Sequence, residues 1–218
     1  MWIKIVILSF FMFPFLYARE IREIKCTGPV PVAASIPIIK KEIQKKLMKD
    51  NPAWKCTVEN FSLHSTNTGL NIMISGTGIT NLDALEDYDF DTVMLINTAV
   101  LDTRFLKNSK SLRVFSIVNE KNNFQSVDLS FLNGKKINNL FLSNVRVLDC
   151  TCIKDVGFKM LVFDNVENID FDVFSNLRGL ECFSANNMKI KDRKFLRDCP
   201  NIRFLQIGVE NNMKAEQK

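Results

Sequence analysis

One apolar pattern recurs along most of this chain and limits what the chain can fold into. The pattern is apolar-x-x-apolar-x-apolar, with its middle apolar position at Ile72, Val93, Phe115, Leu140, Leu161, Phe183 and Leu205. The successive spacings are 21, 22, 25, 21, 22 and 22 residues. Scattered apolar residues would not keep this period over seven copies, so the spacing indicates a stack of repeated structural units.

The remainder of each unit repeats as well. An apolar pair precedes several of the strands, as in Phe105-Leu106, Phe131-Leu132 and Phe195-Leu196. The one long unit contains the polar insertion 120–123, which is expected to lie in a loop. Each unit is therefore predicted to be a short strand followed by a return segment. Successive strands would stack in parallel through right-handed crossovers.

These segments resemble the leucine-rich-repeat family, whose unit of about 20–29 residues reads L-x-x-L-x-L-x-x-N/C-x-L. Residues 180–190 and 195–207 match this unit best, and the resemblance covers residues 69–209. It implies an α/β fold, a right-handed horseshoe solenoid of about seven units with a parallel β-sheet on its concave face. The family's buried Asn or Cys position is occupied by other residue types in this chain, so no internal asparagine ladder is expected.

Asparagine stands one position earlier in five units. The five residues are Asn97, Asn119, Asn144, Asn165 and Asn187. Asparagine tolerates the tight turn that leaves a strand, and this interpretation is favoured. A column of ligand-binding asparagines is the alternative.

Residues 1–18 differ from the rest of the chain. Lys4 precedes an apolar run over residues 5–16, and Ala18 provides a small residue before the charged segment that follows. This is the layout of a cleaved signal peptide. A transmembrane anchor is the alternative, although the run is shorter than the roughly 20 apolar residues that span a bilayer. The mature chain is expected to begin near Arg19, to be secreted and to have no membrane span.

Residues 19–68 are predicted to form an N-terminal cap on the repeats. Apolar residues at helical spacing, with lysines opposite, predict a helix over 36–49 that ends at Asp50-Asn51-Pro52. A strand over 56–63 and a polar turn should then lead antiparallel into the first repeat. After residue 209 only the polar tail 210–218 follows, without a recognisable cap. That edge is a candidate for self-association.

Export would permit disulfide bonds among the six cysteines. Six cysteines allow fifteen pairings, and the sequence does not choose among them. Cys26 with Cys56 is the favoured pair, because both lie in the predicted cap. Asn60-Phe61-Ser62 is a single glycosylation sequon, which matters only on the secretory route.

The positions between the apolar residues of each strand are predicted to point to the concave face. Their columns grade from charged to apolar, and an apolar cluster bordered by charge is typical of a protein-binding patch. The predicted partner-binding residues are Met94, Arg113, Val114, Phe141, Lys159, Met160, Val162, Arg203 and Phe204. Two alternatives are that these are singly exposed apolar residues of no consequence, or that a shifted register buries them.

No catalytic or metal-binding pattern stands out. His64 is the single histidine, and Cys150-Thr151-Cys152 supplies too few ligands for a zinc site. The net charge of +5 is spread along the chain, without a basic block typical of nucleic-acid binding. The expected function is a secreted module, without cofactor or catalysis, that binds a protein partner such as one at a cell surface. The alternative is a structural or coat component that assembles through the open C-terminal edge.

Overall fold

A computed structural model of the chain describes residues 35–100, 102–154, 156–174, 177–190 and 193–208. The predicted signal peptide, Cys26 and the polar tail lie outside these ranges. The described residues form an α/β structure with one helix and a nine-stranded, mostly parallel sheet.

The N-terminal region contains the predicted helix and hairpin. Helix α1 spans Ile36–Asp50, one residue longer than predicted, and buries Ile43 and Leu47. The buried side-chain amide of Asn51 holds the C-terminal end of the helix. Its nitrogen donates to the backbone carbonyl oxygens of Leu47 and Asn81, and its oxygen accepts from the backbone N–H of Asn81. These bonds stabilise the contact between the helix and the segment after the second strand, because a buried amide is costly unless it is paired.

The hairpin next to the helix begins later than the sequence pattern predicted. Strand β1 spans Phe61–Ser65 and pairs antiparallel with β2, Leu70–Ser75. The predicted antiparallel entry is therefore confirmed, although the strand starts at Phe61 rather than at Cys56. His64 lies in β1, opposite Asn71, and not in the polar turn as predicted.

From β2 onward, the strands run parallel to one another. They are β2, β3 (Phe90–Ile96), β4 (Val114–Val118), β5 (Gln125–Val127), β6 (Asn139–Val147), β7 (Met160–Glu167), β8 (Cys182–Asn186) and β9 (Phe204–Ile207). The sheet order is β1-β2-β3-β4-β6-β7-β8-β9, and β5 pairs with β6 alone. Apart from β5, neighbouring parallel strands are therefore successive in the chain, as the period predicts.

The strand register places the seven middle residues of the apolar pattern side by side. Ile72 pairs with Val93, Val93 with Phe115, and so on through Leu140, Leu161 and Phe183 to Leu205. The first six are at most 2% exposed, whereas Leu205 is 52% exposed. The register inferred from the spacing is confirmed, and the last strand differs because no further described strand covers it.

Short 3-10 turns form the return segments and the second layer of the structure. They include Asp83–Leu85, Arg104–Leu106, Ser130–Leu132, Thr151–Ile153, Phe171–Val173 and Lys194–Asp198. Their phenylalanines pack against the strands and each other. Phe131 packs edge-on against Phe115 with ring centroids 4.8 Å apart, and Phe171 stacks on Phe195 at 4.9 Å. Burial of such large rings is the main favourable contribution to folding.

The insertion in the long unit contains structure that the sequence pattern did not predict. Residues 121–123 form a 3-10 turn, as a loop insertion would allow. Strand β5 follows at once and pairs with the C-terminal part of β6, over Val145–Val147. The extra residues therefore widen the sheet at one place and leave the main register unchanged.

Candidate protein-binding surface

One face of the sheet carries the side chains that alternate with the core residues, and we call it the open face. Its two main columns follow the strand register from β2 to β9. The first column is Asn71, Thr92, Val114, Asn139, Met160, Cys182 and Phe204, and the second is Met73, Met94, Ser116, Phe141, Val162, Ser184 and Gln206. These are the columns inferred from the sequence, so the predicted residues share one face.

The exposure of these residues is uneven, and one expectation is wrong. Phe141 was expected to be an exposed anchor but is only 8% exposed. Its ladder partners are the smaller Ser116, itself fully buried, and Val162. Phe141 therefore acts as a packing residue within the open face.

The other apolar members of the predicted patch are more accessible. Met94, Val114, Met160 and Val162 are half-buried. Phe204, in the last strand, is 50% exposed. The accessible apolar surface therefore increases towards the C-terminal end of the sheet.

A third column at the start of the strands carries the charges. At its N-terminal end the Arg113 guanidinium forms a two-pronged ion pair with the buried carboxylate of Asp91 and donates to the Thr68 hydroxyl at 2.7 Å. Arg113 was predicted to bind a partner; its guanidinium is engaged by these contacts while 42% of its side chain is exposed, and its partner binding stays a prediction. A planar guanidinium satisfies a buried carboxylate in this way because both groups are bidentate.

The C-terminal end of the charged column is different. Three charged residues are adjacent there: Lys159, Glu181 and Arg203. The backbone N–H of Glu181 donates to the Lys159 carbonyl at 2.8 Å, and the backbone N–H of Arg203 donates to the Glu181 carbonyl at the same distance. The Lys159 and Arg203 side chains are exposed. This end therefore presents two accessible cations beside the accessible apolar residues.

Four asparagines lie where strands end or bend: Asn97 and Asn187 directly follow β3 and β8, and Asn144 and Asn165 lie within β6 and β7. Asn97, Asn144, Asn165 and Asn187 have positive φ angles of 52° to 53°, a conformation in which asparagine is favoured over most residues. The interpretation as residues of the turn that leaves a strand is confirmed for Asn97 and Asn187, whereas Asn144 and Asn165 bend strands that continue beyond them.

The side chains of these four asparagines form hydrogen bonds to the neighbouring unit, which the sequence analysis did not predict. The Asn144 amide donates to the Asn119 carbonyl at 2.6 Å and accepts from the Asn165 amide at 2.7 Å. The Asn97 side chain accepts from the backbone of Glu120 at 2.7 Å, and Asn187 donates to Asp164 at 2.7 Å. These bonds lie one position before the position at which the expected absence of a ladder was stated, and Asn144 with Asn165 is the one pair joined side chain to side chain.

Asn119 departs from the other four. Its φ is not positive, its side chain is buried, and neither amide atom has a hydrogen-bond partner among the described residues. It immediately precedes the insertion that begins at Glu120, so the chain leaves β4 on a different path. A buried amide left unpaired costs about 1–3 kcal/mol.

No two of the described cysteines form a disulfide bond with each other. They are Cys56, Cys150, Cys152, Cys182 and Cys199. The predicted Cys26–Cys56 disulfide is untested, since Cys26 lies outside the described residues. Burial raises the pKa of the Cys152 thiol to about 12, and the nearby Asp149 carboxylate adds to the effect. At neutral pH this thiol is protonated and therefore a poor nucleophile.

A shallow cleft beside Cys152 has a volume of about 210 Å³ and is lined by Lys135, Lys136 and Thr151 among others. The Lys135 ammonium donates to the carbonyl oxygens of Lys107 and Ser109 at 2.9 and 2.7 Å. Burial lowers the pKa of this lysine. Its ammonium is therefore used to satisfy backbone carbonyls.

No group of three His, Cys, Asp or Glu side chains that could hold a metal ion occurs in the described ranges.

The glycosylation sequon lies at the start of β1. The Asn60 side chain accepts from the Thr57 backbone at 2.7 Å and donates to the Lys55 carbonyl at 2.7 Å. Phe61, the middle residue of the sequon, is fully buried. A glycan on Asn60 would replace the bond to Lys55, and its attachment stays a prediction.

Comparison with known proteins yields no relative: no family model, curated protein or solved structure matches the chain. Among the described residues, no helix is long and apolar enough to cross a membrane.

Proposed function

We propose that this chain is a secreted leucine-rich-repeat solenoid whose open face binds a protein partner without catalysing a reaction. The fold part of the proposal is supported by the ladder of seven equivalent residues at spacings of 21 to 25 residues. The functional part is supported by one observation, the accessible apolar residues bordered by exposed cations at the C-terminal half of the open face.

The binding site is centred on β7 to β9. Met160, Cys182 and Phe204 lie side by side in one column, and Lys159 and Arg203 border it. Aromatic and arginine side chains carry a large share of the energy at protein interfaces, and Phe204 and Arg203 supply one of each. Phe141 supports this surface from within, because it is buried.

The test is a comparison of two apolar-to-charged variants. Phe204→Glu places a charge on the open face, and Leu148→Glu places it at a residue of similar exposure, 56%, outside the two columns. A partner would be captured from cell-surface and extracellular extracts, purified, and titrated against each variant. We expect Phe204→Glu to weaken binding at least about thirtyfold, as for an interface hot spot, and Leu148→Glu to leave it unchanged.

Equal binding by both variants would show that the partner does not bind the open face. Failure to capture any partner would favour the second candidate function below. Urea midpoints of both variants should fall by a similar small amount, about 0.5 M, because each variant removes an apolar side chain that is about half buried.

The second candidate function is assembly through the edge of β9. The observation that favours it is Leu205, which is half exposed although its six counterparts along the ladder are buried. An open, apolar strand edge is a ready template for another strand. Sedimentation velocity over a concentration series should then show growing oligomers, lost in Leu205→Glu and retained in Lys159→Glu. A single monomeric species at every concentration would reject assembly.

Secretion rests on the N-terminal sequence pattern. N-terminal sequencing of the exported protein should give Arg19 as the first residue. A first residue at Met1, with the protein held at the membrane, would instead indicate an anchor.

A further inference from the structure

The outer surface of helix α1 combines lysines and exposed apolar residues. Two apolar side chains are exposed there, Ile38 at 69% and Met48 at 43%. Three exposed lysines lie near them along the helix: Lys41, Lys45 and Lys49. At 100° per residue these five side chains fall within an arc of about 100°, opposite the buried face. The helix is therefore apolar on its inner side and carries a mixed basic and apolar stripe on its outer side.

The other two lysines of the helix are engaged elsewhere. Lys46 forms a salt bridge of 3.0 Å with Glu42, and Lys40 lies over the ring of Phe61. Lys41, Lys45 and Lys49 form no salt bridge among the described residues. The stripe therefore presents three uncompensated positive charges spaced by single helical turns.

We propose that this stripe docks the protein on the surface of an anionic phospholipid bilayer. Lysines at such a surface gain from the negative potential of the headgroups. Ile38 and Met48, about 15 Å apart along the helix, would enter the boundary between headgroups and acyl chains. A sulfated polysaccharide would use the lysines but has no use for two exposed apolar side chains, and for this reason the bilayer is favoured.

The experiment measures binding of the whole protein to vesicles of phosphatidylserine mixed with phosphatidylcholine and to vesicles of phosphatidylcholine alone. Each lysine contributes about fivefold at an anionic surface, so Lys41→Gln/Lys45→Gln/Lys49→Gln should lose on the order of a hundredfold in the preference for phosphatidylserine. The matched control Lys110→Gln/Lys136→Gln/Lys189→Gln removes the same charge from exposed lysines outside the helix and should retain that preference. Ile38→Ser/Met48→Ser should lose roughly tenfold on the anionic vesicles.

Three results would overturn the proposal. The first is no preference of the native protein for phosphatidylserine, and the second is an equal loss in the helix and control lysine variants. The third is tight binding to heparin that depends on the helix lysines, together with vesicle binding that Ile38→Ser/Met48→Ser leaves unchanged. Circular dichroism and urea midpoints would show that each variant is folded.

Discussion

The contrast between Leu161 and Leu205 gives a quantitative prediction about the end of the sheet. Both occupy the middle position of the apolar pattern and lie in one ladder, but Leu161 is fully buried and Leu205 is 52% exposed. Replacing each with alanine removes the same atoms from two different environments.

The expected magnitudes follow from that difference. Leu161→Ala loses the full transfer free energy of the side chain and leaves a cavity, for a cost of about 3–4 kcal/mol in the free energy of unfolding. Leu205→Ala loses about half of a transfer term of roughly 2 kcal/mol and leaves no closed cavity, for a cost of about 1 kcal/mol. With a urea dependence of about 2 kcal/mol per molar, the midpoints should fall by about 1.5–2 M and about 0.5 M respectively.

The assay is urea denaturation followed by circular dichroism at several protein concentrations. A midpoint loss for Leu205→Ala as large as that for Leu161→Ala would refute the open edge. If that loss shrank on dilution, a second copy would be covering Leu205. If the midpoint loss did not change on dilution, residues of the same chain would be covering Leu205. A small loss for Leu161→Ala would refute the register itself.

Two further predictions concern the turn asparagines and the buried thiol. Asn144→Ala should destabilise the protein by about 2–3 kcal/mol, because it loses three side-chain hydrogen bonds and places alanine at a φ of 53°. Asn144→Gly should cost about 1 kcal/mol less than alanine in thermal or urea unfolding, and a lower stability for glycine than for alanine would contradict the role of the turn. The raised pKa of Cys152 means that the native thiol stays protonated while the unfolded thiol ionises. Stability should therefore be fully present below about pH 9 and fall as the pH rises towards 12, and Cys152→Ser should flatten this decline; an unchanged slope would contradict it.

The sequence predicted the architecture well where the argument depended on periodicity. The spacing of Ile72, Val93 and Phe115 placed the strands in their correct register, because each unit must present its apolar side to the same layer. The helix before the repeats was likewise predicted within one residue. The strand β5 was missed because three residues after an insertion have no periodic signal of their own.

The candidate site was predicted less completely. The columns of the open face were correct, since side chains alternate along a strand. The burial of Phe141 and the ion pair of Arg113 with Asp91 were not anticipated. They depend on the sizes and charges of side chains in neighbouring strands, which come from distant parts of the chain.

The asparagines show the same division. The sequence predicted that Asn97 and Asn187 would turn the chain after a strand, which is a local property of the backbone. It did not predict the bonds from Asn144 to Asn119 and from Asn165 to Asn144, because these join residues 21 to 25 positions apart.

The sequence by itself therefore determined the spacing of the apolar pattern, the strand register and which side chains share a face. These depend on local alternation and on one spacing that is repeated along the chain. Only the tertiary structure decided which of those side chains are accessible, which charges are paired internally and that Leu205 is left exposed. Accessibility depends on what neighbouring strands place beside and over each residue, and that arrangement exists only once the units are stacked.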